Sequence, residues 1–585
     1  MASTLSRMLF CITPDKHEEA ALHQCLSEHP EIKFVSLVGL DVFGHDTDEK
    51  VPVREIFKDY KGFLKNGVQT DGSSVLLPGI ADITNARVDI VPDADANWYV
   101  DHNFDNIDEE TGLPVGTLRI PSVLMHNSDT PVGSRAILRD AVAEFKRGLV
   151  QALRDNPYVF EFLPIESADE IEDVQLTAAT ELEFYVKTPH EVADKEKLHT
   201  SQEMKEQYWK RTIGPVRTAL EKTLEVLDCY GFEVEMGHKE VGGVKADITT
   251  DGYDHIMEQL EIDWRYSDPM GTADKDNLAR YVIKDVFRSR GLDVTFMAKP
   301  VEGVAGSGKH THFGAAVKLK DGRKVNLFSA LDPEKDYLSP VGFGALMGLL
   351  KHYEIINPLA SATTDSLNRL KPGYEAPICI VTSLGRDVKT PSRNRTVLAG
   401  LIRDAANPLA TRFELRSPNP KSNCYLVLAG GFLAMLDGIE KCLAAKKSPA
   451  DLAASISKKY GDEDFYLEKD RVYRAENNIF TDYTAEEREK YFGRSPATVY
   501  ENIMAFDEYP EKAAVLFKGD AMTPKDLASY KQAVLELWAT ELHDRIIPQM
   551  AAEGSPASGI TALSEALEAG DYAAASEKLK ELRAL

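Results

Sequence analysis

The hydrophobic pattern changes character along the chain. Near the N-terminus, apolar residues come in short, β-branched runs. The run "IKFVSLVGLDVFG" (32–44) ends at glycine and predicts a strand and a turn. "ADITNARVDIVPD" (81–93) predicts another strand, closed by a Pro-Asp turn. One helical stretch is expected near Lys16 to Glu28. From Ser134 the period becomes helical: Ile137, Leu138, Val142, Phe145, Leu149 and Leu153 form one stripe. A boundary is expected just before this helix. Strands and helices then alternate. "TAATELEFYV" (177–186), "DVTFMAKP" (293–300) and "THFGAAVKL" (311–319) read as strands. Met204 to Tyr230 reads as a long helix stopped by Gly231, and 274–291 as a second helix ending at Gly291. "NCYLVLAGGFLAMLDGIEKCL" (423–443) reads as a buried helix that its Gly430-Gly431 pair could interrupt. The Ala/Leu/Glu-rich end (559–585) reads as a helical packing hairpin without chemistry.

Composition narrows the class. A chain of 585 residues, 43% apolar and 28% charged, reads as soluble and globular with a large core. Its formal charge of -26 argues against nucleic acid or an anionic membrane as partner. The six cysteines are scattered without a C-x-x-C and are expected to be reduced and structural. "MLFCI" is too short for a signal-peptide core and no run is long enough to span a bilayer, so a cytoplasmic location is expected.

The candidate chemistry starts at "GVAGSGKHTH" (303–312). Up to Lys309 it fits a phosphate loop, G-x-x-x-x-G-K, but His310 stands where a magnesium-binding Ser or Thr is required. A phosphate loop also needs a helix after it, and the residues beyond Lys309 alternate like a strand. On a strand, His310 and His312 share one face. The device recurs: "TELEF" pairs Glu181 with Glu183, and "RFELR" aligns Arg412, Glu414 and Arg416. Taken singly, each is equally a solvated, ion-paired face. Taken jointly, carboxylates plus histidine suit Mg²⁺ or Mn²⁺, and arginines beside them suit phosphate and carboxylate. Divalent cations with arginines are what phosphoryl transfer from ATP requires.

"TDGSS", "TELEF", "HKEV", "TFMAKP…GSGKHTH", "NRLKPGYEAP", "SRNR" and "RFELR" occur in the order and approximate spacing of the glutamine synthetases. The resemblance runs from about Ile32 to Pro548 and is nearest the bacterial type I branch. It implies an α+β fold: an N-terminal β-grasp domain (1–128), a catalytic domain of antiparallel, barrel-like strands and helices (129–548), and a helical C-terminal extension (549–585). It also implies a homo-oligomer, a dodecamer of two rings, with active sites between subunits.

The resemblance implies roles as well. Glu183, Glu240 and Glu261 would hold one divalent cation, and Glu181, His310 and Glu414 a second. Arg369, Arg416 and Gly306 would bind glutamate. Glu235, His312, Gly314, Arg395, Arg403 and Arg412 would contact ATP. Asp71 and Ser74, from the adjacent subunit, would bind ammonium, and Glu375 would shield the intermediate. The implied reaction is ATP-dependent glutamate–ammonia ligation through γ-glutamyl phosphate.

The chain departs from that pattern in places. Ala305 stands where an asparagine is expected, and Arg87 falls where a second ammonium-site aspartate is expected, with Asp89 nearby. "GGVKADITTDGYDH" (242–255) lengthens the interval before Glu261 and reads as a loop beside the nucleotide; Glu258 is the alternative ligand. Arg403 lies three residues further from Arg395 than expected, and Leu409 replaces a lysine. Phe480 stands where some relatives carry an adenylylated tyrosine, so that control is not expected. Arg87 and Ala305 keep a γ-glutamyl ligase for a larger primary amine or polyamine open. An inactive regulatory paralogue is disfavoured by the complete set of metal-ligand types.

Overall fold

A computed structural model describes residues 8–189, 209, 211–249, 252–301, 304–370 and 379–584. Two sheets organise it. The first holds β1 (Cys11–Ile12), β2 (Ile32–Val38), β3 (Glu49–Pro52), β4 (Val68–Asp71), β5 (Arg87–Pro92), β6 (Trp98–Ile107), β7 (Pro114–His126) and β8 (Thr130–Val132). Its path is β1-β6-β7-β2-β3; β5, carrying β4, and β8 also pair with β7. The β2–β7 pair is parallel and the others are antiparallel.

The second sheet holds β9 (Ile171–Pro189), β10 (Val234–Thr249), β11 (Gly252–Trp264), β12 (Asp293–Thr295), β13 (Lys309–Leu319), β14 (Lys324–Asn326), β15 (Thr382–Ser383), β16 (Ala399–Ile402) and β17 (Arg412–Leu415). Its order is β10-β11-β9-β13-β17-β16-β15, antiparallel but for β15–β16. Period two explains its two faces. On β9, Leu182, Phe184 and Val186 are fully buried and pack with Leu260 and Ile262 of β11. Glu181 and Glu183 point to the opposite face.

One hydrophobic core runs from the first sheet, through the helix Ser134–Asp155, to the buried helix Cys424–Ala444. That last helix is continuous through Gly430-Gly431, because tertiary packing uses its glycines. A Cβ on Gly438 would stand 2.0 Å from Gly344 O, so the helix Pro340–Lys351 crosses backbone to backbone there.

Three expected elements come out differently. The helix expected from Met204 begins at Gly214 within the described residues, with Pro215 in its first turn, and ends at Cys229 before Gly231 at φ +76°. "DVTFMAKP" pairs only over Asp293–Thr295; Ala298 N leaves the sheet to donate to Asp365 Oδ2 (2.7 Å). The 242–255 insertion, expected as a loop, extends β10 and β11 into a hairpin running to Thr249 and from Gly252. The C-terminal hairpin is present as Ala557–Glu568 and Tyr572–Arg583.

Candidate active site

Strand register turns the sequence pattern into rows of charge. Across one face of β10, β11, β9 and β13 run His238, Glu261 and Glu183, and then Gly308, whose carbonyl takes the Glu183 N–H. The next row is Asp263, Glu181 and His310. The third is His312, Glu414 and Gly400 across β13, β17 and β16.

The central residues satisfy one another. Glu181 spans both histidines, with Oε2 3.0 Å from His310 Nδ1 and Oε1 2.8 Å from His312 Nε2. Arg412 Nε donates to His312 Nδ1 (3.2 Å), which makes Nδ1 an acceptor and gives the ring hydrogen on Nε2 to Glu181. Glu414 lies 3.3 Å from His310 Nδ1 and accepts from Arg416 Nη1 at 2.6 Å. Burial would raise the Glu181 carboxyl, but His312 and His310 hold it well below the usual range. Burial is likewise outweighed at Glu414 by Arg416 and His310.

The outer residues repel one another. Burial and then Glu183 push Glu261 well up, and burial and then Glu181 push Asp263 up to about 7. Glu183 is steadied on its other oxygen by Gln259 Nε2 and Gly308 N, each at 2.8 Å. Glu258, the alternative to Glu261, lies on the opposite face and pairs with Lys239 (2.5 Å).

The donor set fits divalent cations. Glu181, His310 and Glu414 offer ligand atoms within 4.8 Å of one another. Gly308 leaves space beside them: a Cβ there would stand 2.6 Å from Arg369 Nη2 and 3.0 Å from both Glu183 and His310. Arg369 is buried against this glycine, donating to Ser417 O (3.1 Å) and Arg416 O (3.2 Å). Gly306 packs as tightly, a Cβ falling 2.3 Å from Ala298 O and 2.9 Å from Arg369 Cγ. Next to it, Ala305 O accepts from Tyr185 OH (2.7 Å). Gly314 sits further along β13, a Cβ there falling 2.4 Å from Thr177 Oγ1.

Other expected residues lie elsewhere. Arg403 is not brought to the charged rows: its guanidinium donates to Pro333 O (2.6 Å) and lies 5.9 Å from the Tyr337 ring. The position opposite Glu414 is Gly400. Glu235 is exposed at a register shift of β10, and Arg395 is exposed before β16. Asp71 and Ser74 are exposed on the first sheet, where Asp71 accepts from Ser73 N (2.9 Å) and Ser73 Oγ (2.7 Å). Neither bonds to the second sheet among the described residues. Glu375 lies outside the described residues. Sequence reasoning missed His238, Gln259 and Asp263. The available signal was the two-residue spacing of His238 to Glu240 and of Gln259 to Glu261 to Asp263.

Comparisons with known proteins show the family. Residues 165–459, half of the chain, match the family model described as glutamine synthetase, catalytic domain. This chain belongs to the glutamine synthetase family. It is 36% identical over 236 residues to a glutamine synthetase of Sulfolobus acidocaldarius, covering 39% of this chain and 44% of that protein. It is 32% identical over 320 residues to one of Clostridium saccharobutylicum (54% and 58% covered), and 28% identical over 412 residues to one of Pyrococcus woesei (70% and 76%). The chain thus spans about half the length of the first two of these relatives. Its fold is similar to solved structures of GmaS. The one without ligand gives a TM-score of 0.59 at 19% identity, covering 89% of this chain and 96% of the other. The one with ADP gives 0.57 at 18%, covering 89% and 98%. Among the described residues no helix is long and apolar enough to cross a membrane.

Proposed function

We propose that this chain is an ATP-dependent glutamate–ammonia ligase, forming glutamine through γ-glutamyl phosphate. The observation that carries the reading is the charged face: Glu181, Glu414 and Glu183 gather around His310 beside buried Arg369 and Arg416, with Glu261 next to Glu183 across the strands. Glu181, His310 and Glu414 would hold one divalent cation, and Glu183, Glu240 and Glu261 another. When bound, Mg²⁺ or Mn²⁺ neutralises the phosphate oxygens on which charge builds. Arg369 and Arg416 hold the glutamate carboxylates, and Gly306 lets the backbone approach the substrate. Arg412 and His312 lie along the phosphates, with Gly314, Glu235 and Arg395 toward the nucleotide. The γ-carboxylate oxygen attacks the γ-phosphorus of ATP and ADP leaves; ammonia then attacks the acyl carbon and phosphate leaves. Asp71 takes the proton of ammonium beside Ser74, both presented by a neighbouring subunit of a cytoplasmic homo-oligomer, a dodecamer. A β-grasp unit (1–128), which holds β1 to β7 of the first sheet, would carry them, followed by the catalytic unit (129–548) and the helical extension (549–585). Glu375 closes over the acyl phosphate and excludes water.

One observation favours a second acceptor, a primary amine or polyamine. Arg87 stands directly across from Asp71 in strand register, its guanidinium 3.3 Å from Asp89. The test is phosphate release from ATP, Mg²⁺ and glutamate with a panel of amines including ammonium. Turnover with ammonium is expected. Turnover only with a larger amine establishes the second reading, and none with any amine overturns both.

A further inference from the structure

The turn that leads into β13 meets the charged face with its backbone alone. Ala305 carries only a methyl group. Gly306 has no room for any side chain, a Cβ there falling 2.3 Å from Ala298 O and 2.9 Å from Arg369 Cγ. What this turn presents to a substrate beside Arg369 is therefore main chain. Glycines at 306 and 308 also make the turn costly to order, because glycine loses more backbone freedom on folding than any other residue.

Three buried side chains offset that cost, each on a successive carbonyl. Lys299 Nζ donates to Val304 O, Tyr185 OH to Ala305 O (2.7 Å) and Gln259 Nε2 to Gly306 O (3.1 Å). They come from separate segments: Tyr185 from β9, Gln259 from β11 and Lys299 from the chain after β12. Tyr185 and Gln259 are direct partners across β9 and β11. Two residues along each strand, they share a face with Glu183 and Glu261 and form the next row of that face. Gly306 O can only accept, so the amide nitrogen of Gln259 must face it. The same nitrogen reaches Glu183 Oε2 (2.8 Å), which also accepts from Gly308 N (2.8 Å). Glu183 is thus tied to the turn twice, at Gly308 directly and at Gly306 through Gln259.

We infer that Tyr185, Gln259 and Lys299 are positioning residues that hold the 304–306 backbone in the shape that receives the amino-acid substrate beside Arg369, with Gln259 coupling that shape to Glu183. The inference rests on the glutamate-ligase reading, in which Gly306 and Arg369 meet glutamate and Glu183 meets a cation. Two variants separate the parts. Tyr185→Phe removes one hydroxyl and touches the turn alone. Gln259→Leu removes one amide at similar volume and touches both the turn and Glu183. Glutamate binding to the full chain is measured by calorimetry with Mg²⁺ and a non-hydrolysable ATP analogue present, and binding of the analogue is measured alone. Mn²⁺ affinity is read from the EPR signal of the free ion, and circular dichroism checks folding. Tyr185→Phe is expected to weaken glutamate about 3–10-fold, the worth of one hydrogen bond, with analogue and Mn²⁺ affinities unchanged. Gln259→Leu is expected to weaken glutamate at least as much, and Mn²⁺ roughly 10–100-fold at one site, as loss of a partner that orients a metal ligand does. In steady state the KM for glutamate should rise in both while the KM for ATP stays. Wild-type glutamate affinity in folded Tyr185→Phe and Gln259→Leu overturns the inference, even where both variants melt at lower temperature. A wild type that binds the analogue but no glutamate overturns the ligase reading itself, and the positioning role with it.

Discussion

The centre and the outer end of the charged face use the same residue types and reach opposite electrostatic states. At the centre each carboxylate has a cationic or hydrogen-donating neighbour: Glu181 has His310 and His312, and Glu414 has Arg416. Both carboxyls are held down despite burial. At the outer end Glu261 and Asp263 face other carboxylates, and both are pushed up. The difference arises from register. β13 places histidine against β9, and β17 beyond it brings Glu414 with the neighbouring Arg416, whereas β11 places acids against β9. The centre is therefore preorganised by its own ion pairs, and the outer end stores repulsion that a bound cation would relieve. Binding a cation should stabilise the outer end more, because there it removes like-charge contacts.

The strand that carries His310 and His312 is anchored from behind, and breaking that anchor gives the largest expected effect. Lys309 is fully buried; its Nζ donates to Asp276 Oδ2 (3.0 Å) and Ser422 O (2.7 Å). It faces inward, on the side of the strand opposite His310 and His312. Lys309→Met leaves the Asp276 carboxylate buried without its ammonium, at a cost of about 3–5 kcal/mol. The denaturant midpoint should fall accordingly. Replacing both partners, Lys309→Met with Asp276→Leu, should recover much of the loss. If the single variant matches the wild type, the pair is not an anchor.

In metal-free protein, substitutions at the centre and at the outer end should differ in sign. Glu414→Gln leaves buried Arg416 without its carboxylate and should destabilise by about 2–4 kcal/mol. Asp263→Asn removes a carboxylate that faces Glu181 and should be neutral or stabilising by up to about 1 kcal/mol. Urea unfolding in the presence of EDTA measures both. Equal destabilisation by the two would erase the distinction between the halves.

The legible part of the site is the part whose information is stored within single strands. The alternation in "TELEF" and "KHTH" is local, so strand identity and the shared faces of Glu181 with Glu183 and of His310 with His312 are visible in the sequence. The same parity already places Lys309 with Thr311 and Phe313 on the inner face, although its neighbours draw attention outward. Register between strands is not local. Nothing within β11 says that Asp263 will lie beside Glu181, or that Gly400 rather than Arg403 will face Glu414. The 242–255 hairpin is masked by its glycines and polar residues, although Asp251-Gly252 is a recognised hairpin signal. The helix Cys424–Ala444 stays whole at its glycine pair because close packing, not local propensity, sets that segment.

The smallest expected effect tests whether satisfied charges elsewhere behave like the centre. In the helical layer Asp437 Oδ2 meets His352 Nε2 (2.9 Å) and Tyr466 OH (2.9 Å), and Oδ1 lies 3.3 Å from Lys518. Burial would raise this carboxyl, but the bond to His352, the charge on it and Lys518 hold it well below the usual range. The native state therefore binds fewer protons here than the unfolded chain in acid. The contribution is complete above the unfolded value near pH ~4 and is lost as pH falls below it. Asp437→Asn has no carboxyl to titrate, so its stability should fall less between pH ~5 and pH ~3, by about 1 kcal/mol. Parallel loss of stability in wild type and variant across that interval would show that Asp437 is not held ionised by its neighbours, and that the centre of the charged face has no counterpart in the scaffold.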